Sequence, residues 1–171
     1  MKNTLRLKHA FFITLMVAIC MGCEKKDNDE MIDSDDGNDI SGSIEGTWEL
    51  TELSYSYKVG PMEATSVGAD ISNVLLDINA DGTTSGNGKK FTIETSIGEA
   101  SGSTSTQSEL ILNEGRWEQS GDTFTWTGQG DSRDFTIEKL TDKSLHLKGD
   151  FGNELAFGLF NKIDLEFSRK N

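Results

Sequence analysis

Beyond Gly46, apolar and polar residues alternate with period two in short runs, the pattern of strands with one buried face. Phe91, Ile93 and Ile97 share a face, and Phe124 and Trp126 oppose Thr123, Thr125 and Thr127. Phe135 and Ile137 oppose Thr136 and Glu138, while Leu145, Leu147 and Phe151 oppose His146 and Lys148. Ile163, Leu165 and Phe167 oppose Asp164, Glu166 and Ser168. Residues 74–79 add a shorter apolar strand. Trp48 and Leu50 are in phase, but Leu53, Tyr55 and Tyr57 are one residue out of step. A bulge at Thr51-Glu52 restores the phase and bends the strand.

Turn signals separate these runs: Asn79-Ala80-Asp81-Gly82, Ser120-Gly121-Asp122, Thr141-Asp142-Lys143-Ser144 and Gly152-Asn153. Short turns make successive strands antiparallel neighbours. The expectation is about eight or nine strands and no amphipathic helix, with residues 58–72 the one place for a helical turn and residues 97–108 a long Gly-Ser-Thr loop. No internal repeat of fixed period is present. One apolar and one polar face along nearly every strand predicts an all-β fold, a small antiparallel up-and-down barrel of about eight strands spanning residues 46–171.

The N-terminus reads as an address. Lys2, Arg6 and Lys8 precede an uninterrupted apolar run of about eleven residues from Ala10 to Cys20, too short for a membrane span and right for a secretory signal. Cys20-Met21-Gly22-Cys23 then resembles a bacterial lipobox, with Gly22 as the small residue before the cut. That resemblance implies a signal peptide over residues 1–22 and acylation (diacylglycerol, palmitate) at Cys23, with Cys20 standing where an aliphatic residue is usual. Multiple acyl chains give stable membrane anchoring, since one alone is marginal. Glu24 replaces the Asp that retains enterobacterial lipoproteins at the inner membrane, which favours the outer membrane. Lys26-Asp27-Asn28-Asp29-Glu30 resembles the acidic export tether of Bacteroidetes-type lipoproteins, implying cell-surface exposure, the alternative being a periplasm-facing protein.

Residues 24–45 hold nine acidic residues and two lysines and no aromatic, a composition that predicts a disordered, charge-extended tether over residues 23–45. Asp33-Ser34-Asp35-Asp36-Gly37 has calcium-ligand chemistry but the wrong spacing: Gly37 falls at loop position 5 and Ile44 at position 12. The whole chain carries 29 Asp and Glu against 16 Lys and Arg, a net charge of −13, which argues against nucleic acid as a partner.

At Gly46-Thr47-Trp48 the chain resembles the lipocalins, whose first strand begins Gly-x-Trp with the ring closing the barrel. The sequence from Leu76 to Thr83, the Gly115-Arg116-Trp117 to Thr123-Phe124 hairpin, and Phe135 to Leu147 resemble successive hairpins of the small lipocalin-like lipoproteins of Bacteroidetes-type bacteria. The second and third lipocalin signatures are not evident. Arg169, the only nearby candidate to cover Trp48, falls one residue past the alternation of the last strand.

Catalysis has little to stand on. The two His are His9, in the leader, and His146, which alternation points to solvent. Carboxylate pairs such as Glu118/Glu138 and Asp164/Glu166 read as a solvated face, and Gly128-Gln129-Gly130-Asp131 reads as a loop. The expectation is a non-enzyme with no cofactor, no metal site and no catalytic residue. The resemblance implies a membrane-anchored protein binding a small apolar or amphipathic ligand in the barrel, with Trp117, Trp126, Phe135 and Leu147 as candidate cavity residues. The alternative is an interaction module whose packed barrel presents loops to a protein or glycan.

Overall fold

The computed structural model describes residues 39–98, 104–152 and 160–171. The leader, Cys23 and most of the expected tether lie outside the described residues. The strands are β1 (Asp39–Ile40), β2 (Gly46–Val59), β3 (Met62–Ala69), β4 (Leu75–Ile78), β5 (Thr83–Gly86), β6 (Phe91–Ile97), β7 (Thr104–Ser108), β8 (Glu114–Ser120), β9 (Thr123–Gly128), β10 (Asp131–Leu140), β11 (Ser144–Asp150) and β12 (Lys162–Arg169). One turn of 3-10 helix, Ile111–Asn113, is the only helix among the described residues.

Eight strands close an antiparallel barrel in the order β2-β4-β5-β8-β9-β10-β11-β12, with β12 returning to β2. This is the architecture of a lipocalin-like, calycin-type fold. Closure removes the edges of those strands. It depends on the length of β2, which pairs with β12 along most of its course and on its other side with β4 first and β3 afterwards. Beyond that division β3, β6 and β7 form a wing of the same sheet.

Two bulges set the phase. Glu166 pairs with Glu52 and Phe167 with Leu50, so Thr51 is the extra residue that lets Trp48, Leu50 and Leu53 all face the core. The bulge expected from the sequence is therefore present. A second, at Glu138, lies between the Ile137–Leu147 and Lys139–His146 pairs and turns Leu140 inward beside Ile137.

Three expectations are corrected. Residues 58–72 hold no helical turn: β2 continues to Val59, and β3 follows after a tight reversal. Within residues 97–108, Thr104–Ser108 is strand β7, zipped to β6. The barrel also recruits chain ahead of Gly46. Asp39 and Ile40 pair in parallel with Lys139 and Leu140, on the edge of β10 that β9 leaves free, and Ile44 is buried.

Strand directions give the barrel two distinct ends. At one end lie the start of β2, the turns at residues 79–82, 120–123 and 141–143, and the end of β12. We call it the Trp48 end. At the opposite end lie the β2–β3 reversal, the Gln129-Gly130 hairpin and the β11–β12 connection.

Candidate functional site

The barrel interior is built from the alternating residues. Trp126 and Leu147 are completely buried and Phe135 is 1% exposed. Trp117 is half-buried on the same inner face, paired across β8–β9 with Trp126. Neighbouring aromatic rings form an unbroken chain along the barrel. Trp117 stacks on Phe124 (6.2 Å between centroids), Phe124 meets Phe135 (6.2 Å), and Phe135 meets Phe151 edge-on (5.9 Å). Phe151 meets Phe160 (6.4 Å), which meets Tyr55 (5.2 Å). These separations are in the range where ring pairs attract beyond their buried area.

The polar edges of the indoles are satisfied inside. Trp126 Nε1 donates to Thr84 Oγ1 at 3.0 Å, Trp117 Nε1 to the Asn79 carbonyl at 2.9 Å, and Trp48 Nε1 to the Ile44 carbonyl at 2.7 Å. The Trp126 ring lies over Gly115 and Gly128, where any Cβ would overlap it. Close packing of this kind leaves little free volume. Among the described residues, the apolar recess of the interior lies between Leu53, Tyr55, Phe91, Leu110, Phe160 and Ile163 and holds about 40 Å³. Ligand cavities are roughly 300 Å³ and more.

Two larger hollows among the described residues lie on the outer wall. One, of about 230 Å³, crosses β11, β12, β2 and β3 and presents Ser54, Ser56, Thr65, Lys148, Asp150 and Asp164. A second, of about 350 Å³, adjoins it towards the end opposite Trp48 and adds Tyr57, Lys58, Glu63 and Asn161. They share Ser56, Asp150 and Lys162, so they form one groove. Its lining is hydroxyl-rich and carries both charge signs. Lys162 pairs with Asp150 at 3.5 Å, a contact exposed enough to be worth little energetically. Asn161 ties the groove's end together: its side chain accepts from the Lys58 amide and donates to the Gly152 carbonyl.

Of the other candidate groups, Glu118 faces Thr125, which in turn faces Asp134, so Glu118 and Glu138 are not in register. Asp164 and Glu166 share the outer face of β12, and the Asp164 carboxylate oxygen accepts a hydrogen bond from His146 Nε2 at 2.7 Å. The Gln129-Gly130 segment is a tight β9–β10 hairpin with both residues at positive φ. Cys23 lies outside the described residues. The groove escaped the sequence reading because its residues come from four strands and are joined only by register.

No family model, curated protein or solved structure matches the chain.

Proposed function

We propose that this chain is a lipid-anchored, non-catalytic barrel protein of the Bacteroidetes lipoprotein type, held at the outer membrane through Cys23 and exposed at the cell surface. We infer that it works as an interaction module, and that its partner is a hydroxyl-rich ligand, a glycan, bound along the outer groove. The observation that supports this reading is the chain of packed aromatic rings along the described interior, beside which the apolar recess holds about 40 Å³. A small apolar ligand within the barrel, the other reading, requires displacement of those rings.

The attachment supports display. β1 joins the barrel at the Trp48 end, whereas the groove runs towards the opposite end. The chain therefore enters the domain at the end away from the groove. From Cys23 to Asp39 an extended chain reaches about 50 Å, enough to hold the domain clear of a bilayer surface.

The test is binding of the full chain to an array of bacterial and host glycans, with Ser56→Trp as a variant that fills the groove where its two hollows meet. Binding by the parent chain and its loss in the variant support the reading. Absence of binding to any glycan, or binding that Ser56→Trp leaves unchanged, overturns it. The anchor is tested separately by fractionation: Cys23→Ala should move the protein from the membrane to the soluble fraction, and persistence in the membrane contradicts lipidation.

A further inference from the structure

We propose that His146, Asp164 and Glu166 form a binding site for a divalent transition-metal ion of the zinc class on the outer wall of β11 and β12. The inference stands apart from the proposed function and does not require the groove to bind anything.

The register builds the site. His146 lies directly opposite Glu166 across the β11–β12 ladder, and Asp164, two residues before Glu166, projects from the same face. One ligating atom from each of the three lies within 4.8 Å of those of the other two. His146 Nε2 and Asp164 Oδ1 are 2.7 Å apart in a direct hydrogen bond, which an ion entering between them would replace by moving the two atoms to roughly 3.3 Å. One imidazole with two carboxylates is a donor set suited to zinc and its neighbours, whereas oxygen-only sets suit calcium and magnesium.

Two further observations bear on the site. Among the described residues, Glu166 has no hydrogen-bond or ion-pair partner, and Glu52, directly opposite it across β12–β2, has none either. Like charges placed directly across a ladder destabilise a sheet. Lys148 stands opposite Asp164 in register, yet the Asp164 carboxylate is turned to His146 instead. The placement is also rigid, because β12 is held by ladders on both sides, so little ordering entropy is lost when an ion binds. Asp164 also lines the outer groove, so a bound ion would place positive charge at its edge.

The experiment is a titration of the ¹⁵N-labelled full chain with Zn²⁺, followed by amide and imidazole resonances, beside His146→Ala, Glu166→Gln and the distant control Glu118→Gln. The expected result is saturable shifts centred on residues 146, 164 and 166, with the His146 ring among them. Affinity should fall at least tenfold in His146→Ala and in Glu166→Gln and be unchanged in Glu118→Gln. Glu166→Gln keeps the shape of an exposed side chain, so the test survives if His146→Ala fails to fold. Mg²⁺ should not reproduce the imidazole shift. Shifts confined to the acidic N-terminal residues or to the two cysteines, or binding at β11–β12 that both variants leave intact, mean an adventitious ion only and overturn the proposal.

Discussion

The Arg169 guanidinium lies over the Trp48 ring, 4.1 Å from its centroid, and ties the last strand of the barrel to the first. The same group donates to the carbonyls of Asp142 (2.9 Å), Glu45 (2.7 Å) and Ser43. One side chain thus closes the Trp48 end, holding the segment that enters β2, the β10–β11 turn and the first-strand indole together. Arg169 is the final residue of β12 and pairs with Trp48 in register, so the alternation that stopped at Ser168 ended one residue early. Gly46 is part of the same arrangement: its φ is +141°, and a Cβ there would overlap the Arg169 guanidinium.

Arg169→Ala should therefore destabilise the domain by about 1–3 kcal/mol, the combined scale of a half-buried cation–π contact and charge-assisted hydrogen bonds. Arg169→Lys should recover less than half, because an ammonium lacks the planar fork that reaches several carbonyls. Gly46→Ala should act through the same group, so its combination with Arg169→Ala should cost less than the sum of the two. Urea unfolding of the four proteins measures this, and strict additivity would count against the linkage.

Trp126 rests on Gly115 and Gly128. Gly115→Ala and Gly128→Ala should each cost about 1–3 kcal/mol by overpacking, since moving the indole aside breaks its bond to Thr84. A red shift of tryptophan emission at unchanged strand content would mark the displaced ring.

Thr51 is the bulge residue of β2. Its deletion moves Leu53 and every later residue of the strand to the opposite face and should prevent cooperative folding, because register slips exchange core and solvent faces. Thr51→Ala keeps the count and should change stability by under about 1 kcal/mol, as an exposed substitution does. Thermal unfolding of the two separates residue number from side-chain chemistry.

The Asp81 carboxylate accepts from the Thr83 hydroxyl (2.6 Å) and the Thr83 amide (3.0 Å), which together hold its pKa below the ordinary aspartate value. A group with a depressed folded pKa contributes stability that is present above its unfolded pKa and is lost as pH falls through the folded one. The Tyr55 phenol is shifted the other way: burial raises its pKa, and its contribution is lost as pH rises past the usual phenol range. Unfolding midpoints should fall at both extremes of pH. Asp81→Asn should make the acid limb shallower, Glu49 and Asp150 supplying the rest, and leave the alkaline limb unchanged, while Tyr55→Phe should act on the alkaline limb alone.

The barrel strands were legible because most of them bury one face, and burial writes alternation into the sequence. The Thr51 bulge was legible as a phase error between Leu50 and Leu53. Of the strands that escaped, Met62–Ala69 and Thr104–Ser108 belong to the wing, and Thr83–Gly86 is a four-residue barrel strand that buries only Thr84. β7 is exposed along nearly its whole length, and β3 buries only Ala64 and Ser66, so neither shows apolar alternation. The segment from Asp39 to Ile44 looked like tether because it is short, rich in Ser and Gly and continuous with the acidic run before it, yet two backbone pairings and one buried isoleucine attach it to the barrel. Trp117, Trp126, Phe135 and Leu147 were rightly sorted to the inner face, but a pattern of facing residues does not state how much space remains between them. The meeting of His146 with Asp164 and Glu166 depends on the register of β11 against β12, which only the fold supplies.

The packed interior is the centre of this account, and titration of the full chain with cis-parinaric acid, a fluorescent long-chain fatty acid, tests it most directly. The account predicts no saturable fluorescence rise and no quenching of the buried tryptophans, with or without prior solvent extraction of the protein. One-to-one saturable binding at micromolar concentration, with energy transfer from Trp126, would contradict it and make the barrel a carrier.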